Sequence, residues 1–268
     1  MFKLSDILLN PKKSKRHPIE IILLGFFYVS VSLLLSLWIF PEYSSLLMVF
    51  LSVIACLYVA EGVLIMEEDK EKKADSESWI LKEHLKALWF FILLFLGFVF
   101  AFAFWTIALP ESLSSVVFNL QKSSLPAIES ITGNATSNEV LQVILFNNLR
   151  VLLLALLFSL FYGAGAIFIL AWNASIMGFV IGSLTKNSLG IAALPYAFLK
   201  YFMHGIPEML AYFAAALAGG IIFMAIIRRD IEKDRIKRTL RDTSLLIAAS
   251  ILLLIIAALV EVYISSSI

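Results

Sequence analysis

Along most of the chain, apolar positions run on for about twenty residues at a time, and polar ones collect in short blocks between the runs. Reading runs of sufficient length predicts helices near 19–40, 44–66, 87–109, 141–163, 167–184, 206–227 and 243–264. A helix of about 20 residues crosses a hydrocarbon layer about 30 Å thick and satisfies its own backbone there. The pattern therefore specifies an all-α, polytopic integral membrane protein with about seven transmembrane helices.

Composition agrees: of 268 residues, 61% are hydrophobic and 15% charged, with a formal net charge of +1. A charge so near zero names no partner, and the basic blocks read as orientation signals rather than a nucleic-acid surface. Residues 1–18 carry Lys3, Lys12, Lys13, Lys15 and Arg16, and further clusters fall within 67–86 and 228–242. The connection 41–43 and the C-terminal tail carry no Lys or Arg, and 110–140 carries only Lys122. By the positive-inside rule the N-terminus is cytoplasmic, and seven spans put the C-terminus outside a multi-pass cell-membrane protein. Residues 110–140 are then an external loop. Trp38, Tyr43, Trp89 and Trp105 fall near span ends, as interfacial anchors do. Asp75 or Ser76 is a candidate cap for a short helix leading into the third span. The run after the basic start is too long for a cleavable signal, so the first helix is retained. The lone Cys56 lies within a span and can form no internal disulfide.

One stretch breaks the pattern. "NSLGIAALPYAFLKYFMHG", Asn187 to Gly205, is too apolar for an exposed loop and too short to cross and return. Pro195 and Pro207 disfavour helix at the preceding residue, and Pro is tolerated at a helix start. The reading is a broken or re-entrant segment near 187–206, with the sixth span starting at Pro207 and Glu208 in its first turn.

Polar residues inside the spans are the candidate chemistry. His204 and Glu208 stand four apart and share a helix face if the helix runs through. The fourth span carries Asn147, Asn148 and Arg150, the fifth Asn173. A charged side chain in a span is costly and normally pairs within the protein, which makes Glu208 the intramembrane partner to expect for Arg150. Asn147, Asn148, Arg150, Asn173, His204 and Glu208 are therefore expected to converge as a binding cluster in the outer half of the membrane. His204 and Glu208 are the candidate metal ligands, with Asn147 or Asn173 supplying oxygen, although zinc ordinarily takes more His or Cys than the region holds. The sequence identifies no particular cofactor. Gly178 with Gly182, and Ala211 with Ala215 and Gly219, form small-residue faces that permit close helix packing and are candidates for homo-oligomer contacts. Gly163 and Gly165 flank the turn between spans four and five.

Those residues carry a resemblance. "NN" in an apolar helix, the turn "GAGA", "WNASIMGFVIG", a broken connection and "HGIPEMLAYFAAALAGG" resemble the stage II sporulation protein M family from about Lys82 to the end. The resemblance implies a five-helix domain over 82–268, preceded in 1–81 by a two-helix addition and a cytoplasmic loop. In spore-forming bacteria a member of that family helps hold peptidoglycan-degrading partners at the engulfing septal membrane. Relatives without spores or that wall imply a more general role.

Three functions remain. The first is a membrane-embedded scaffold or binding module, with the lipid bilayer and membrane or envelope proteins as partners. The second is a transporter or channel for a small solute or ion, since broken helices around a polar pocket are a transporter device. The third is a metal-dependent intramembrane enzyme. A wet cavity between Arg150, Asn173 and Glu208 would favour transport, and a packed core would favour the scaffold.

Overall fold

The computed structural model describes residues 18–71, 77–124, 137–162, 167–186, 190, 192, 194–227 and 233–265. Among them are seven helices long and apolar enough to cross a membrane. The helices are α1 (Pro18–Ile39), α2 (Ser44–Glu71), α3 (Glu77–Ala108), two short ones, α4 (Glu111–Val117) and α5 (Asn119–Ser124), then α6 (Ser137–Tyr162), α7 (Ile167–Leu184), α8 (Leu194–Ile227) and α9 (Lys233–Val260). A 3-10 turn, Pro41–Tyr43, joins α1 to α2, and a π turn, Glu261–Ser265, ends the described chain.

Helix α3 is the central post, with 72% of its apolar stretch buried against 22% for α6 and 28% for α9. Small residues set how closely its neighbours approach, because in lipid helix association relies on dispersion contacts that need backbones near one another. A Cβ on Gly97 of α3 would stand 2.3 Å from the Ile22 carbonyl of α1, and one on Gly178 of α7 would stand 2.5 Å from Phe102 Cβ. Gly182 meets Thr106 and Ala103 in the same way. On the other flank, Phe213 of α8 stacks on Phe91 of α3 and meets Phe95 edge-on. Helix α8 packs on α6 and α9, where Gly219 approaches the Leu156 carbonyl so closely that a Cβ would be 2.6 Å away. The faces expected to serve oligomer contacts are thus consumed inside one chain: Gly178 and Gly182 on α3, Gly219 on α6, with Ala211 and Ala215 fully buried. Gly163 and Gly165 lie outside the described residues, as do Asp75 and Ser76.

Two expectations need correction. The sixth span does not start at Pro207: α8 runs unbroken from Leu194 to Ile227 with Pro207 inside it. Proline in a span removes one amide donor, but packing against neighbouring helices can hold the segment helical. Here Gly205 lies against Met177 of α7, and Met209 and Ala211 to Ala218 are buried. The start signal was Pro195, the second residue of the helix. The interruption comes earlier, after Leu184, and includes Gly190 at φ +66°. That left-handed conformation suits a residue without Cβ.

The second correction concerns residues 110–140. Lys186, beyond the end of α7, donates to the Leu109 carbonyl at 2.7 Å and pairs with Glu111 at 3.4 Å. Gln121 meets Ser175 of the same helix. Between Glu111 and Gln121 the chain therefore descends alongside α7 from Lys186 to Ser175, about 16 Å of helix at 1.5 Å per residue. Val117, Phe118 and Gln121 are fully buried there, with Phe118 stacked on Phe179 and edge-on to Phe102. Residues 111–124 are thus a pair of short helices packed against α7 and the start of α2 rather than an exposed loop. Trp105 donates from its indole nitrogen to Ser30 Oγ of α1 at 2.9 Å.

Candidate functional site: polar groups among the spans

Gln121 of α5 bonds across two neighbouring helices. Its Oε1 accepts from the Ser45 hydroxyl at 2.7 Å, and its amide nitrogen donates to Ser175 Oγ at 3.0 Å and the Ser45 carbonyl at 3.3 Å. Ser45 Oγ in turn accepts from the Leu120 amide, and the Ser175 hydroxyl donates to the Trp172 carbonyl. Three elements, α2, α5 and α7, are thereby tied at one buried point. A carboxamide suits the position because it offers an acceptor and donors at once without a charge. Beside it, Ser44 Oγ is buried with no hydrogen-bond partner. Sequence reading passed over this hub, since Gln121 lies in a polar-looking stretch, "NLQKSS", that reads as exposed loop.

The six expected site residues do not form one constellation. Glu208 is half-buried on α8 and accepts from the Tyr212 hydroxyl one turn on, at 2.7 Å. Glu261, in the π turn after α9, is close enough to Glu208 for the two carboxyl groups to interact electrostatically. Neither Tyr212 nor Glu261 was among the expected residues. The spacing of four between Glu208 and Tyr212 could have identified the first, and a lone carboxylate in "AALVEVYI" the second.

Asn148 is buried, and its side-chain oxygen accepts from Asn147, at 3.4 Å. Asn173 donates back to the Ile169 carbonyl of its own helix at 2.7 Å. His204 is half-buried with its ring 6.2 Å from that of Tyr201. Arg150 forms no ion pair with Glu208. It is exposed on the outward face of α6, its guanidinium 5.3 Å from the centre of the Phe146 ring. The reason is rotational: Asn148, Leu152, Ala155 and Ser159 form the buried stripe of α6, and Arg150 lies off it. Among the described residues no three His, Cys, Asp or Glu side chains come together as a metal site.

Comparison with known proteins bears on residues 87–266, which match the family model for Stage II sporulation protein M. An uncharacterized protein of Methanocaldococcus jannaschii is 32% identical over 128 residues, 47% of this chain and 70% of the relative. No solved structure matches. The matched region begins just before Leu88, where the apolar stretch of α3 starts, so α1 and α2 lie outside it while packing directly on it.

Proposed function

Given that the chain belongs to the stage II sporulation protein M family, we propose that it is a membrane-embedded scaffold whose intramembrane polar groups lock the bundle in one shape. The observation that carries this reading is where those groups spend their hydrogen bonds. Gln121 ties α2, α5 and α7 together, Glu208 takes its bond from Tyr212, and Asn173 closes on its own helix. Gln121 joins three helices, so a slip at that point leaves it unpaired in an apolar medium, whereas Glu208 and Asn173 are satisfied within their own helices whatever their neighbours do. In this reading Gln121 with Ser45 and Ser175 is the lock, Asn148, Asn173, His204 and Glu208 are structural groups, and Asn147 and Arg150 face outward.

A scaffold also needs surface for others. Helix α9 is among the least covered spans, and Ser244 and Ala248, one turn apart, are exposed along it, an arrangement that admits a second helix closely. Membrane or envelope proteins are the partners this face suits. The orientation consistent with the basic blocks keeps the N-terminus cytoplasmic and the C-terminus outside, placing α4 and α5 on the outer side.

Reconstitution tests the reading. Proteoliposomes with purified protein should be as tight to inorganic ions and small organic solutes as empty vesicles. A photo-crosslinker at Ala248 in native membranes should give discrete adducts with other polypeptides. Saturable solute flux that Glu208→Gln abolishes would replace the scaffold by a transporter.

A further inference from the structure

The outward face of α6 holds an open hollow of about 660 Å³ lined by side chains of that helix alone, Gln142, Phe146, Asn147 and Arg150 among them. Phe146 is 64% exposed and Arg150 is exposed beside it. A guanidinium on a lipid-facing surface well inside a span is costly unless something answers its charge. Among the described residues nothing does so: the guanidinium lies over the face of Phe146, and no ion pair links it to Glu208. Phe146 lies one turn toward the start of α6, so the side chain reaches along the helix toward the headgroups of that leaflet. Gln142 and Asn147 add amide donors along the same path.

Two occupants can answer an arginine in a membrane, a partner helix with a carboxylate or a phospholipid phosphate. The rest of the face decides between them. Its exposed residues are large, Leu153, Leu154, Leu157 and Phe158, while the small residues of α6, Ala155 and Ser159, are turned inward. A helix packs poorly on such a surface, and acyl chains follow it well. Self-pairing of parallel α6 helices would set Arg150 against its own copy. We propose that this surface is a phospholipid site in which the phosphodiester is drawn in to the Arg150 guanidinium where it reaches back past Phe146, with Asn147 and Gln142 donating to the remaining headgroup oxygens and the acyl chains running on along the same face toward Leu153. The guanidinium fork matches phosphate oxygens two at a time, which a lysine ammonium does not.

The test uses purified full-length protein in detergent, with phosphatidylglycerol, a phosphate-free galactolipid and inorganic phosphate as separate additions. Native mass spectrometry should show phosphatidylglycerol retained on the wild type and neither of the others. Arg150→Leu, at an exposed position that leaves the fold intact, should weaken retention about tenfold, the factor for loss of one charge-assisted bond of about 1.4 kcal/mol. Arg150→Lys should fall between. A photo-crosslinker at Phe146 in native membranes should capture lipid. Equal retention by wild type and Arg150→Leu, equal retention of the galactolipid, or binding of inorganic phosphate alone would overturn the site. Crosslinking of Phe146 to a polypeptide would overturn it in favour of a partner helix. Because this face is separate from the buried lock, its failure would leave the scaffold reading untouched.

Discussion

Replacing Gln121 by methionine keeps the side-chain length, so the change is chiefly one of hydrogen bonding rather than of reach. The Ser45 hydroxyl loses its acceptor, while Ser45 Oγ keeps the Leu120 amide and the Ser175 hydroxyl keeps the Trp172 carbonyl. One buried donor is therefore orphaned outright. Such a group costs about 1–3 kcal/mol in soluble cores, and side-chain bonds measured within membranes run lower, with a maximum of about 1.7 kcal/mol. Gln121→Met should thus lower the unfolding free energy by about 1–2 kcal/mol, read by reversible denaturation in mixed micelles. Ser45→Ala in the same background removes the orphan. The double variant should then be less destabilised than the two single changes together, by about 1 kcal/mol, as contacting residues are when they couple. If the two changes add within about 0.5 kcal/mol, the scatter expected of independent sites, Ser45 and Gln121 are not partners and α5 does not dock at this point.

Gly97→Ala should destabilise by about 1–3 kcal/mol, as overpacking does, because its methyl group would stand 2.3 Å from the Ile22 carbonyl; the same micelle titration reads it. Gly190→Ala should cost about 1 kcal/mol for a different reason, its φ of +66° rather than lack of room. Ser44→Ala should be neutral or stabilising, since the hydroxyl it removes is buried without a partner. In a glycosylating host, the "NAT" sequon at Asn134, outside the described residues, should be modified if the outer-side orientation is right; an unmodified, cytoplasmic Asn134 would reverse it.

Much of the fold was legible because its signal is cumulative. Twenty apolar residues outweigh local detail, and the first five span positions and the last agree with the helices to within a few residues or a turn. Position 207 shows where local rules lose: proline there marks a helix start only if nothing else holds the segment, and the buried run from Met209 to Ala218 does. The packing of α4 and α5 was not legible, because "ESLSSVVFNLQKSS" is half polar and too short to read as a span. Its burial depends on Phe118 and Gln121 finding α3 and α7, which are distant in sequence. The site was legible as a set of residues but not as a geometry. Recognising that Arg150 and Glu208 are both costly in lipid led to pairing them, yet helix rotation, which one sequence does not report, turns Arg150 outward and leaves Glu208 with Tyr212.

Whether the polar interior is closed, as a scaffold requires, can be measured by cysteine accessibility. In a Cys56→Ala background, Gln121→Cys, Asn148→Cys and Asn173→Cys would be exposed in sealed vesicles of each orientation to a charged, membrane-impermeant thiol reagent. Ser112→Cys, at the exposed start of α4, serves as the reactive control. A locked bundle predicts rapid modification of position 112 from one side and none of the three interior positions from either. Modification at 121, 148 or 173 would reveal a water-filled path to those groups and contradict the account.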